Sequence, residues 1–156
     1  MPAVHPTALR VAERLRAAGL VVDVREHAES TRTAEEAAAA AGCDLGQIVK
    51  SLVFIDGDAP LLVLCAGDRR VDVRGLGEDV RRATPDEVRE ATGFAIGGVP
   101  PLGHDRPVRT LVDDSLRRFE TVWCAAGTPR AVFEVATERL IAAIPGTEVR
   151  PLSEQP

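Results

Sequence analysis

Leu9, Ala12, Leu15 and Ala18 fall on one helical stripe before Gly19, and glycine directly behind such a stripe is a common helix end. The spacing predicts a first helix over 6–18. Leu20 to Arg25 alternate in part and read as a short strand. Thr33 followed by Glu36 has capping-box spacing, in which each side chain satisfies an orphan amide of the first turn; the alanine-rich run behind it stops at Gly42. The clearest signal is a hairpin. IVKSLVFI at 48–55 and PLLVLCA at 60–66 are apolar strands flanking Asp56-Gly57-Asp58, a turn tolerant of positive φ. It is the expected centre of the sheet.

Thr84-Pro85-Asp86-Glu87 combines an N-cap, a first-turn proline and a returning glutamate, and Gly93 closes the helix it starts. GFAIGGVPPLGHDRP, from Gly93 to Pro107, is too rich in glycine and proline for regular structure and reads as a loop of fixed shape. VRTLVDD, VWCAA and AVFEVA then read as strands, and TERLIAAI as a helix starting at Thr137. Helices and strands alternate without a strict β-α-β rhythm, which predicts an α+β fold on a strongly curved mixed sheet.

A chain of 156 residues with 45% hydrophobic content suits one core. With no internal repeat or linker, residues 1–156 are expected to form a single domain whose tail, Ser153 to Pro156, is frayed. The net charge of -5 argues against a protein that coats nucleic acid by bulk attraction, so any RNA contact is local. Cys43, Cys65 and Cys124 form neither a CxxC pair nor a histidine-flanked cluster, so buried thiols are expected rather than a disulfide framework or a zinc site. There is no apolar run long enough to span a bilayer and no leader-like start, pointing to a cytoplasmic protein. At 3% aromatic content and no tyrosine, a sheet that stacks bases on exposed rings is not expected.

Lys50 is the one lysine among nineteen basic residues, and it stands inside an apolar strand. Alternation puts it with Ile48, Leu52 and Phe54, while Val49, Ser51, Val53 and Ile55 face the other way. An ammonium there offers a compact point charge to a phosphate or a polarised oxygen, or else guards an edge strand against aggregation. The run from Gly97 to His104 is the second candidate, since glycines let a backbone approach a ligand and prolines hold the loop's shape; a rigid surface turn is the alternative. It carries neither GK[ST] nor GxGxxG, so phosphate-cradling NTPase chemistry is excluded. His104 offers a general base or a structural hydrogen bond. Asp113 offers a site carboxylate or a helix N-cap. No GxSxG occurs, and Ser30, Ser51, Ser115 and Ser153 stand in no recognisable nucleophile setting.

Several runs together resemble one family. TAEEAA at 33–38, QIVKSLVF at 47–54, AIGGVPPLG at 95–103, LVD at 111–113 and AAGTP at 125–129 resemble the YbaK/prolyl-tRNA-synthetase-associated domain, in an order that covers nearly the whole chain. The resemblance implies a curved, barrel-like mixed sheet packed by helices and a free-standing aminoacyl-tRNA deacylase. It would hydrolyse the ester at the terminal ribose with water and substrate assistance, without a covalent nucleophile. By the same resemblance Lys50 holds the terminal phosphate or orients the substrate, backbone groups of Gly97 and Gly98 position the aminoacyl group, and Pro101 fixes that loop. Val99, His104, Asp113 and Gly127 are the further substrate-binding candidates. No cofactor and no metal are implied. The expected partner is the tRNA acceptor end, with an aminoacyl-tRNA synthetase as a further candidate, and neither membrane nor DNA. Arg69, Arg70, Arg74, Arg81 and Arg82 are the arginines that could gather beside Lys50 as a basic rim. A binding module without turnover, and a hydrolase of another small ester or amide, remain the competing readings.

Overall fold

The computed structural model describes residues 4–31 and 33–156; Met1 to Ala3, where the reading of the N-terminus began, and Arg32 lie outside them. Helix α1 (Pro6–Ala17) starts with Pro6 in its first turn and the His5 ring accepting from the Thr7 amide. It buries Ala8, Val11 and Leu15, leaving Leu9 51% exposed. The stripe is therefore rotated from the expected one. The helix lies close over Gly127, where a Cβ would come within 3.0 Å of Thr7 Cγ2 and Val11 Cγ2, and the rotated face presents only small or short side chains to that contact. Of the strand expected at Leu20 to Arg25, only β1 (Arg25–Glu26) pairs. Leu20, Val22 and Val24 pack on the core without a ladder.

Helix α2 (Ala34–Ala41) is capped by Thr33, whose hydroxyl accepts from the Glu36 amide, and ends at Gly42 with φ 72°. The hairpin forms as expected: β2 (Val49–Asp56) pairs antiparallel with β3 (Ala59–Ala66) around Gly57. The chain continues through β4 (Arg70–Val71), α3 (Val73–Leu76), β5 (Val80–Arg82), α4 (Pro85–Thr92) and β6 (Arg109–Asp113). It closes with β7 (Thr121–Ala125), β8 (Ala131–Ala136), α5 (Thr137–Ala143), β9 (Glu148–Arg150) and β10 (Ser153–Glu154). The class is mixed α+β, with its strands in three sheets ordered β5-β2-β3-β6-β9, β1-β8-β7 and β10-β4. A parallel bridge from Ile48 to Trp123 ties the first sheet to the second.

The five-stranded sheet has two apolar faces, as strand alternation requires. Val49, Val53, Leu62, Leu64 and Val112 face the main core beneath α1 and β7–β8. Phe54, Leu61, Val63, Cys65 and Leu111 face a second core closed by Val71 and Leu152. The C-terminal tail is thus held at its start. Ser153 pairs with Val71 and Glu154 with Arg70, and burial of Leu152 explains why the chain does not fray there. Among the described residues no helix is long and apolar enough to cross a membrane.

Candidate active site at the open edge of the central hairpin

A two-residue turn makes Asp56 and Ala59 a hydrogen-bonded pair, so alternation sends the amides and carbonyls of Ile55, Val53 and Ser51 to the edge of β2 away from β3. The Val53 carbonyl indeed accepts from the Ala83 amide on that side, at 3.1 Å. β5 occupies this edge opposite Phe54 to Asp56, and Trp123 occupies it beside Ile48. Between them, at Ser51, the edge is open. A cleft of about 260 Å³ lies there, walled by Ala34, Ala37 and Ala41 of α2, Trp123 to Ala125 of β7, and Ile96, Gly97 and Val99.

Ser51 gives the cleft the backbone groups of the strand edge, while its side chain turns inward with Val49 and Val53. Its hydroxyl is buried and has no partner among the described residues, an uncommon state for a buried polar atom. Lys50 lines the cleft from the opposite face of the strand and donates its ammonium to the Arg69 carbonyl.

The loop on the far wall owes its shape to glycine. The Gly98 amide bonds the Ala95 carbonyl at 3.0 Å, closing a turn in which Gly97 has φ 90°. That is the third position of a type II turn, which only glycine fills without strain. Gly98 then packs on the 127–129 turn: its carbonyl accepts from the Gly127 amide at 2.9 Å, and a Cβ on Gly98 would sit 2.7 Å from the Gly127 carbonyl oxygen. The Gly97 amide has no partner among the described residues. It can therefore serve a ligand, whereas the Gly98 amide is already engaged.

The expected site residues separate. Lys50, Gly97 and Val99 line the cleft; Gly98 and Gly127 dock its loop from behind. Pro101 and His104 line a different hollow with Arg14 and Ile144, so neither joins Lys50. His104 places Nε2 2.7 Å from the Pro100 carbonyl and stands edge-on to Phe94; burial pushes its pKa down. It staples the loop. Asp113 is fully buried and accepts hydrogen bonds from the Ser115 amide and hydroxyl, the Leu152 amide and the Ser153 hydroxyl. Burial alone would raise its carboxyl, but these donors outweigh it and hold the pKa below the ordinary value. The N-cap alternative describes Asp113, and it lines no part of the cleft.

None of the five arginines of the expected rim lines the cleft. Arg69 adjoins Lys50 through its carbonyl, but Arg70 pairs with Glu154 at 3.5 Å. Arg81 pairs with Glu87 at 2.8 Å and sits opposite Ile55, about 16 Å along the strand from Lys50 at the usual rise. Arg82 lies next to it, opposite Phe54. The Arg81 guanidinium and the Thr84 amide hold the Glu87 carboxyl at about 2.

Among the described residues, neither thiol beside the cleft nor the Ser51 hydroxyl is set up as a nucleophile. Cys124 lines the cleft, but burial pushes that thiol far up, and Cys43 on its flank is raised by burial and by Asp44. No imidazole or carboxylate reaches Ser51 among the described residues. What the cleft offers is a cation at the mouth, strand-edge backbone groups along its floor, and an amide from Gly97. Sequence reasoning passed over Ser51 and Trp123; the signal available was one hydroxyl alternating with Val49 and Val53 on an inward face.

The chain matches the aminoacyl-tRNA editing domain over residues 28–143. It is 38% identical to the uncharacterized protein YwhH of Bacillus subtilis over 76% of this chain and 78% of that one. It is 37% identical to the proline–tRNA ligase of Lactobacillus gasseri over 49% of this chain, a stretch that makes up only 14% of the ligase. A crystal structure of a protein proposed as a trans-editing enzyme for prolyl-tRNA synthetase superposes with TM-score 0.90 at 46% identity, over 97% of this chain and 99% of that one. The match over residues 28–143, with a fold shared over almost its whole length with that protein, places this chain in the aminoacyl-tRNA editing domain family.

Proposed function

We propose that the protein is a free-standing deacylase that removes a wrongly attached amino acid from the 3′ end of a tRNA, with tRNA(Pro) as the first candidate because its relatives include proline–tRNA ligases. The observation that carries this reading is the open edge at Ser51, with Lys50 at its mouth. The Lys50 ammonium, a compact point charge, suits a single phosphate of the terminal nucleotide. The Gly97 amide and the Ser51 backbone groups lie where hydrogen-bond donors can meet the ester carbonyl as it becomes an oxyanion. With neither the Cys124 thiol nor the Ser51 hydroxyl activated, water attacks the carbonyl carbon, the bond to the ribose oxygen breaks, and the ribose hydroxyl leaves. Catalysis then comes from positioning and preorganised donors.

The alanines of α2 and the apolar wall of Trp123 favour an uncharged amino-acid side chain. Such an enzyme meets a physical need, because a synthetase pocket separates amino acids differing by one methylene only about 10- to 200-fold. The test is a deacylation panel of tRNA(Pro) and tRNA(Ala) charged with alanine, serine, threonine or cysteine. Release above the spontaneous rate for one or more members supports the reading and names the substrate. No release from any member moves the protein to the class of binding modules.

A further inference from the structure

Among the described residues Lys50 is held by a backbone carbonyl, not by a charge partner. Its ammonium donates to the carbonyl of Arg69, in the short link between β3 and β4. That link is fixed by the C-terminal strap. The Arg69 Nε donates to the Ser153 hydroxyl at 3.3 Å, and the Asp72 amide donates to the Leu152 carbonyl at 2.8 Å. The strap is fixed in turn by Asp113, whose two carboxylate oxygens take the Leu152 amide at 2.7 Å and the Ser153 hydroxyl at 2.6 Å. Cys65 sits opposite Lys50 in the ladder, within range of Asp113 and Ser153, so the relay crosses one face of the sheet.

We propose that the strap Leu152–Glu154 and its anchor Asp113 are positioning elements of the site, setting the place of the Lys50 ammonium through Arg69. Ser153 is the link that acts on Lys50 without touching substrate. This rests on the reading of Lys50 as the substrate-binding cation. It makes the segment after α5, beyond the residues matched by the family, part of the working site. The carboxylate of Asp113 is suited to anchoring the strap because it is buried, charged and fully occupied by donors, and so holds two consecutive strap residues in one geometry.

Lys50 is the only lysine in the chain, so lysine-selective isotope labelling gives one side-chain signal. In Ser153→Ala the Lys50 ε-methylene signal shifts and its mobility rises, while Ser153→Thr, which keeps the hydroxyl, restores both. In single-turnover deacylation, Ser153→Ala lowers the rate about 2- to 10-fold in the wild-type background and leaves it unchanged in Lys50→Ala, the non-additivity of residues acting through one another. An unmoved lysine signal, or the same fold-loss in both backgrounds, overturns the proposal. Should the wild-type protein deacylate nothing, the editing reading fails, yet the lysine signal still decides whether the strap positions the ammonium.

Discussion

Replacing Ser51 by alanine should separate stability from function. The hydroxyl is buried without a partner among the described residues, and an unsatisfied buried polar group costs about 1–3 kcal/mol. Alanine removes that oxygen and little else. A few tenths of a kcal/mol are lost to its weaker strand propensity, leaving the variant about 0.5–2.5 kcal/mol more stable. For a chain of this size each kcal/mol is a rise in Tm of about 2–4 °C. The same change keeps the backbone amide and carbonyl that Ser51 presents at the open edge, so kcat/KM should stay within about 2-fold of the wild type, less than one hydrogen bond's worth. Thermal unfolding by circular dichroism and deacylation of the best panel substrate measure the two arms. A Tm several degrees lower would refute the reasoning, because it would make the hydroxyl a structural group of the folded protein.

Gly98→Ala drives a Cβ to 2.7 Å from the Gly127 carbonyl oxygen, and backbone cannot swing aside as a side chain would. The loop must lift, with about 1–3 kcal/mol lost, a Tm lower by several degrees, and kcat/KM reduced as Gly97 moves off the cleft; an unchanged Tm contradicts the docking. His104 has a folded pKa below its ordinary 6.5, so the folded state binds fewer protons, and stability falls as pH drops from about 6.5 toward the folded value. His104→Gln should flatten that part of the stability–pH curve measured by urea unfolding, and an equally steep curve in the variant would contradict it. Because no arginine lines the cleft beside Lys50 among the described residues, few phosphate contacts are expected. The apparent affinity for tRNA should then fall with salt at a log–log slope near -1, about -0.7 per contact for single strands; a slope of -4 or steeper would bring back a basic rim.

The hairpin, both capped helices and the α+β class were legible because each rests on local chemistry: a turn glycine, a capping box, a run of alternating apolar residues. β5 was missed because Val80-Arg81-Arg82 has no apolar pattern of its own and pairs only because β2 offers an edge. The tail was misjudged for a similar reason. Ser153 looks like a polar end until a buried carboxylate forty residues earlier in the chain accepts its hydrogen bond. Lys50 could be found as a charge in an apolar strand, but its tether to Arg69 could not. The family resemblance brought Pro101 into the expected site and the end of the same loop brought His104, yet the chain turns after Val99 and both line another hollow. Ser51 needed the opposite information: that the strand edge beside it stays open.

The most direct test of the central claim is single-turnover deacylation by the wild type, Lys50→Ala and Lys50→Arg on the same mischarged tRNA. A hydrogen bond from a charged donor contributes about 1.5–3 kcal/mol, so Lys50→Ala should slow release roughly 10- to 150-fold. Arginine, with its planar fork in place of a point charge, should not restore it. Full activity in Lys50→Ala, in a protein of unchanged fold, would contradict the account and move the site away from the open edge of the hairpin.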